Sequence, residues 1–91
     1  MVQSLAEYVS YQLRPSKILL VEDDESVSEI LMSFSQEFNC EMVWVKNRLD
    51  AEARVLFEKF DLAFLDVRLP EGSGIDVFRF MRQNGVVTPV S

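Results

Sequence analysis

Two groups of carboxylates, Glu22-Asp23-Asp24 and Asp66, each follow directly on an apolar run: Ile18-Leu19-Leu20-Val21 and Leu62-Ala63-Phe64-Leu65. Short runs rich in branched side chains read as strands buried on both faces, the pattern of a parallel sheet. If the two strands are parallel neighbours, their C-terminal ends share one edge about 5 Å apart, and the carboxylates converge in one crevice. Clustered carboxylates repel one another unless positive charge sits among them. A hard divalent cation bound through oxygen meets that need, and Mg²⁺ is often held by one or two carboxylates plus phosphate and water.

The elements that would position these groups follow in a regular order. Val2, Leu5, Val9 and Leu13 fall at near-helical spacing before Arg14-Pro15-Ser16 stops the pattern. That segment reads as a short amphipathic helix or a tail, with the helix favoured by its large apolar residues. Lys17–Val21 is the first strand. Val27, Ile30, Leu31, Phe34 and Phe38 mark the inner face of a helix from about Asp24 to Phe38, with Asp24 and Glu25 in its first turn, where negative charge suits the helix dipole. Met42–Val45 is a second strand. Asn47 caps a second helix with Leu49, Ala53 and Leu56 inward and Phe57 and Phe60 near its end. Asp61–Leu65 is the third strand, and Pro70-Glu71-Gly72-Ser73-Gly74 is a loop by its punctuation. Ile75, Phe78 and Met81 begin the inner face of a third helix that Asn84-Gly85 ends, and Val86–Ser91 approaches a fourth strand. The expected fold class is α/β: alternating strands and helices with right-handed crossovers place helices on both faces of a parallel sheet.

Composition narrows the function classes. At 91 residues one domain with one modest core is expected. A net charge of −6 without a basic run argues against direct contact with nucleic acid or an anionic membrane. Cys40 is the single cysteine, so no internal disulfide forms and a reducing, cytoplasmic location fits. No segment is long and apolar enough to span a bilayer as a helix, and the N-terminus lacks the build of a signal peptide. With no histidine, the chain has neither a histidine general base nor a histidine phosphodonor of its own.

Taken together, these residues resemble the receiver domain of bacterial two-component response regulators. Lys17-Ile18-Leu19-Leu20-Val21-Glu22-Asp23-Asp24 is similar to the family's first strand and acidic pair. Asp66-Val67-Arg68-Leu69-Pro70, with Gly74 four residues beyond the proline, is similar to its phosphorylation-site loop, and Thr88-Pro89-Val90 to its entry into strand four. The resemblance covers residues 17–91 and leaves 1–16 as an N-terminal extension. Either motif alone is weak, since acidic triplets also serve as helix-start charges and a lone loop Asp is ordinary; both together, at this spacing, are specific.

The resemblance implies a flavodoxin-like sheet of strand order 2-1-3-4-5, with the crevice at the switch point between strands one and three. It implies that Asp66 is a phosphoacceptor nucleophile and that Mg²⁺ is bound by Asp23 directly, by Glu22 largely through water, by Asp66, and by the backbone carbonyl of Arg68. Asp24 matches no family ligand and falls to the helix start. Arg68 and Arg79 read as solvated charges rather than a phosphate clamp, and Trp44 as an edge-strand packing residue. The implied partner is a histidine kinase or a histidine phosphotransfer protein.

The family pattern runs on through strand five and helix five, with a Ser or Thr at the end of strand four and a Lys at the end of strand five that contact the phosphoryl group. Neither lies within residues 17–91, so the receiver reads as truncated and self-phosphorylation from small donors as slow at most. An incomplete fourth strand would leave the edge of strand three unpaired and the face that helix five covers open; either the N-terminal helix lies over the open face, or two copies pair edge to edge or exchange elements as a homodimer. A second reading is a phosphorylation-independent interaction module that binds the same kinase or phosphotransfer partner through Ser26 to Phe38. A phosphatase of the haloacid dehalogenase type is set aside, because that chemistry places a second Asp two residues after the nucleophile, where this chain has Arg68.

Overall fold

In the computed structural model, which describes residues 4, 5 and 14–91, three strands alternate with three helices. They are β1 (Ser16–Val21), α1 (Glu25–Glu37), β2 (Cys40–Val45), α2 (Arg48–Phe57), β3 (Leu62–Leu65) and α3 (Gly74–Gln83). The helix expected before β1 falls mainly on residues outside the described ones. The sheet is parallel with order β2-β1-β3, as an alternation of strand and crossover helix requires.

Each helix starts where a side chain can accept from its unpaired backbone N–H groups. Asp24 caps α1, accepting from Ser26 and Val27, and Asn47 caps α2, accepting from Asp50. Ser73 caps α3 in a reciprocal box with Asp76.

The core lies on the sheet face that carries α2 and α3. There Leu19, Val21, Val45 and Ala63 pack with Ala51 and Val55 of α2, Val77 and Met81 of α3, and Phe60 and Leu69 from the connections. Alternation along the strands sends Ile18, Leu20, Met42 and Trp44 to the other face, toward α1.

The inner faces differ from those the apolar spacing suggests. In α1 the buried residues are Ser28 and Ser35, whose hydroxyls donate to the Asp24 and Met32 carbonyls. Leu31 is half-buried, whereas Val27, Ile30, Phe34 and Phe38 are exposed. The Val27–Phe34–Phe38 stripe is rotated by about a quarter turn from the serines. In α2, Ala51, Glu52 and Val55 face inward, and Leu49, Ala53, Leu56 and Phe57 face out. In α3, Gly74, Val77 and Met81 are buried, while Ile75 and Phe78 are exposed. Ser28, Ala51 and Gly74 are the small residues at these contacts, beside the larger Val55, Val77 and Met81.

The expected unpaired edge of β3 is also corrected. Ala63 N–H donates to the Pro89 carbonyl at 2.9 Å, Ser91 N–H to the Ala63 carbonyl at 2.9 Å, and Leu65 N–H to the Ser91 carbonyl at 3.2 Å. Pro89–Ser91 thus begins a fourth parallel strand, with Val90 opposite Ala63. The apolar edge of β3 is taken by the chain's own backbone.

Candidate functional site at the C-terminal edge of the sheet

Strand register builds the site. Val21 lies opposite Val45 on one side and Leu65 on the other, so Glu22, Lys46 and Asp66 emerge at one level. The ladder continues one step further: Glu22 N–H donates to the Val45 carbonyl and Asp66 N–H to the Val21 carbonyl, both at 3.0 Å. One carboxylate oxygen from each of Glu22, Asp23 and Asp66 then falls within 4.8 Å of the others. Three of the four residues expected as ligands therefore meet. The fourth, Arg68, is held against Asp66 by its backbone, its N–H donating to Asp66 Oδ1 at 3.2 Å, and it is otherwise exposed.

The donor chemistry of this cluster is all oxygen and all anionic, which fits a hard divalent cation and not a metal that seeks thiolate or imidazole. Electrostatics points the same way. Burial pushes the Glu22 carboxyl above the ordinary carboxylate range; the Asp24 N–H it accepts at 3.0 Å pulls it back, and the neighbouring Asp66 and Asp23 raise it again. Asp24 stands apart from the cluster: its Oδ1 is committed to the Ser26 and Val27 N–H groups at 2.8 and 3.3 Å, the helix-start role expected of it.

The loop after Asp66 is held tightly. Leu69 is buried in the core and its N–H donates to the Gly72 carbonyl at 3.2 Å, closing a short return in which Gly72 has φ of 135°, a conformation that favours glycine. Gly74 packs directly on the Asp66 backbone: a Cβ there would collide with the Asp66 carbonyl oxygen and stand 2.9 Å from Leu65 Cβ. Close approach, not a left-handed backbone, is what this position demands. Ser73 N–H donates to Asp76 Oδ2 at 3.0 Å, so α3 starts rigidly where the loop ends.

Several residues that brace the site carry no motif. Trp44 Nε1 donates to the Glu22 carbonyl at 2.8 Å, a bond that depends on β2 lying beside β1. Lys46 stands over the Trp44 ring at 4.9 Å and pairs with Glu25 at 2.8 Å. Arg48 pairs with Glu52 at 3.2 Å and reaches Asp76 at 4.0 Å. The Ser73-x-x-Asp76 box was available to a pattern search, whereas Trp44, Lys46 and Arg48 had no local signal. Arg79 is exposed, as a solvated charge should be, and Cys40 is a free, half-buried residue at the start of β2. Among the described residues no helix is long and apolar enough to cross a membrane.

Comparison with known proteins agrees with this geometry. The chain is 35% identical over 74 residues to the response regulator protein PmrA of Pseudomonas aeruginosa, covering 81% of this chain and 34% of PmrA; it thus spans about a third of that relative's length. It superposes on the non-phosphorylated HemR receiver domain of Leptospira biflexa with a TM-score of 0.76 at 35% identity, covering 85% of this chain and 61% of that one. With the response regulator TrrA of Thermotoga maritima, solved in complex with Mg²⁺-BeF, the TM-score is 0.71 at 29% identity, covering 76% and 60%. Residues 18–91 match the response regulator receiver domain, and the chain belongs to that family, the phosphoacceptor class of two-component signalling.

Proposed function

We propose that Asp66 is the residue phosphorylated, and that Glu22, Asp23, Asp66 and the Arg68 carbonyl hold Mg²⁺ beside it. The observation that carries this reading is the convergence of the three carboxylates within 4.8 Å at the β1–β3 switch point. The Mg²⁺ found with TrrA supports the same choice of ion. Bound there, the ion would neutralise the charge that develops on the phosphoryl oxygens.

The protein's own part is positioning. A carboxylate oxygen of Asp66 attacks phosphorus and forms an aspartyl-phosphate, while the bond from phosphorus to the donor breaks and the donor leaves with the electron pair. Asp66 Oδ1 already accepts from Arg68 N–H, which orients the carboxylate, and the Gly74 contact fixes its backbone. Residues 1–91 hold no histidine, and in this reading the donor is a phosphohistidine of a cytoplasmic histidine kinase or phosphotransfer protein. Residues 17–91 form the receiver unit in this reading, with 1–16 as an extension.

Intact mass after incubation with acetyl phosphate and Mg²⁺ tests the proposal. A gain of one phosphoryl group in the parent and none in Asp66→Ala is the expected result. A folded, Mg²⁺-binding parent that gains nothing either from acetyl phosphate or from a phosphorylated histidine phosphotransfer protein would overturn it.

A second reading is favoured by the exposed apolar side of α1, where Ile30 and Phe34 are 59% and 55% exposed. Such a patch fits a helical partner surface. In that case kinase or phosphotransfer binding survives Asp66→Ala and is lost in Phe34→Lys.

A further inference from the structure

The acidic turn Glu22–Glu25 is held by the edge strand β2, which supplies none of the candidate ligands. Trp44 Nε1–H donates to the Glu22 carbonyl at 2.8 Å, one peptide unit before Asp23. The Val45 carbonyl accepts from Glu22 N–H at 3.0 Å, so both backbone groups of Glu22 are bound by two successive residues of β2. Lys46 continues the series. Its ammonium sits 4.9 Å from the centre of the Trp44 ring and 2.8 Å from Glu25 Oε1, fixing the ring and the far end of the turn together.

The Glu22 carbonyl belongs to the peptide that joins Glu22 to Asp23. Rotating that peptide would turn the Asp23 side chain relative to Asp66, and the peptide is planar and rigid. A donor on its oxygen therefore sets the orientation of the exposed Asp23 carboxylate, which has little packing of its own. We propose that Trp44 is a positioning residue for the metal site: its indole N–H holds the Glu22–Asp23 peptide at the orientation in which Glu22, Asp23 and Asp66 share one cation, with Lys46 holding the ring. The inference rests on the Mg²⁺ reading above and adds to it a residue outside the ligand set.

Trp44→Phe keeps a ring for packing and for Lys46 but removes the donor. Mg²⁺ titration by calorimetry should give an affinity weakened about threefold to tenfold, the range for one lost hydrogen bond, with the thermal midpoint of the metal-free protein little changed. Asp23→Asn serves as the control that abolishes binding. Trp44 is the chain's one tryptophan, so its indole N–H gives a single proton–nitrogen resonance in the parent. That resonance should shift during Mg²⁺ titration with the midpoint of the calorimetric isotherm, and stay still in Asp23→Asn. Unchanged Mg²⁺ affinity in Trp44→Phe overturns the positioning role while leaving the metal site intact. An indole resonance that ignores Mg²⁺ in a binding-competent parent does the same, even if the Phe variant fails to fold. A parent that binds no Mg²⁺ overturns the metal reading itself, and the positioning role with it.

Discussion

Exchanging Glu22 for Gln keeps its shape and removes the charge that Asp66 and Asp23 oppose. Because the Glu22 carboxyl is raised in the folded state, the fold holds its proton more tightly than the unfolded chain does. The associated stability is complete below the ordinary carboxylate pKa of about 4.5 and is lost as pH rises through the raised value. The metal-free protein should therefore be less stable at pH 7 than this group alone would allow at acid pH. Glu22→Gln should regain part of that stability at neutral pH, and saturating Mg²⁺ should stabilise the parent more than the variant. Urea denaturation with and without Mg²⁺ from pH 4 to 8 reads both effects. Gly74 is the opposite case, a residue whose missing side chain is the requirement. Gly74→Ala drives a Cβ into the Asp66 carbonyl and should cost about 1–3 kcal/mol or more. It should weaken Mg²⁺ binding as well, because the clash is relieved only by moving Asp66.

At the scale of elements, the short turns between strand end and helix start carry the positioning. Asp24 holds the first turn of α1 through two N–H groups, and its side chain is separate from the Glu22–Asp23–Asp66 carboxylate cluster. Asp24→Ala should cost about 1 kcal/mol of stability with Mg²⁺ affinity changed far less than in Asp23→Asn. Equal losses of affinity in the two variants would mean that Asp24 is a ligand after all. Helix faces were the least legible feature in the sequence. Apolar residues lie on more than one side of α1, α2 and α3, so spacing alone offers two stripes. The choice between them is made by tertiary packing, which spacing along the chain does not record. The small residues Ser28, Ala51 and Gly74 took the contact, and Ile30, Leu49 and Ile75 were left outside.

Across the whole molecule, an ion-pair group ties the bottom of the sheet together. Glu58 accepts from Lys17 at 2.8 Å and from Arg54 at 2.7 Å, and these partners, Lys17 first, hold its carboxyl below the ordinary range. Such a contribution is present above about pH 4.5 and is lost as pH falls through the lowered value. Glu58→Gln should therefore flatten the acid limb of the stability profile and leave the change attributed to Glu22 in place. The exposed side of α1 makes a second molecular-scale prediction. Ile30→Lys with Phe34→Lys should alter stability by less than about 0.5 kcal/mol per site, as exposed positions do, yet lower association with a histidine kinase or phosphotransfer partner in sedimentation. Association that persists unchanged would show that this face takes no part in it.

The carboxylates at the strand ends were readable from residue order, because their placement depends on local facts. An apolar run followed by carboxylates identifies both a buried strand and what lies at its end. The N-cap at Asn47 and the helix-start role of Asp24 are likewise set by residue type and short spacing. What tertiary structure decided is everything that depends on a neighbour distant in sequence. The register that brings Val21 level with Val45 and Leu65 places Glu22, Asp23 and Asp66 within reach of one another, and spacing could suggest that meeting but not measure it. The pairing of β3 with Pro89–Ser91 closed an edge expected to be open. Trp44 gained its bond to the Glu22 carbonyl only because β2 lies beside β1: a hydrogen bond needs about 3 Å between its atoms, and no pattern along a chain encodes that distance across 22 residues.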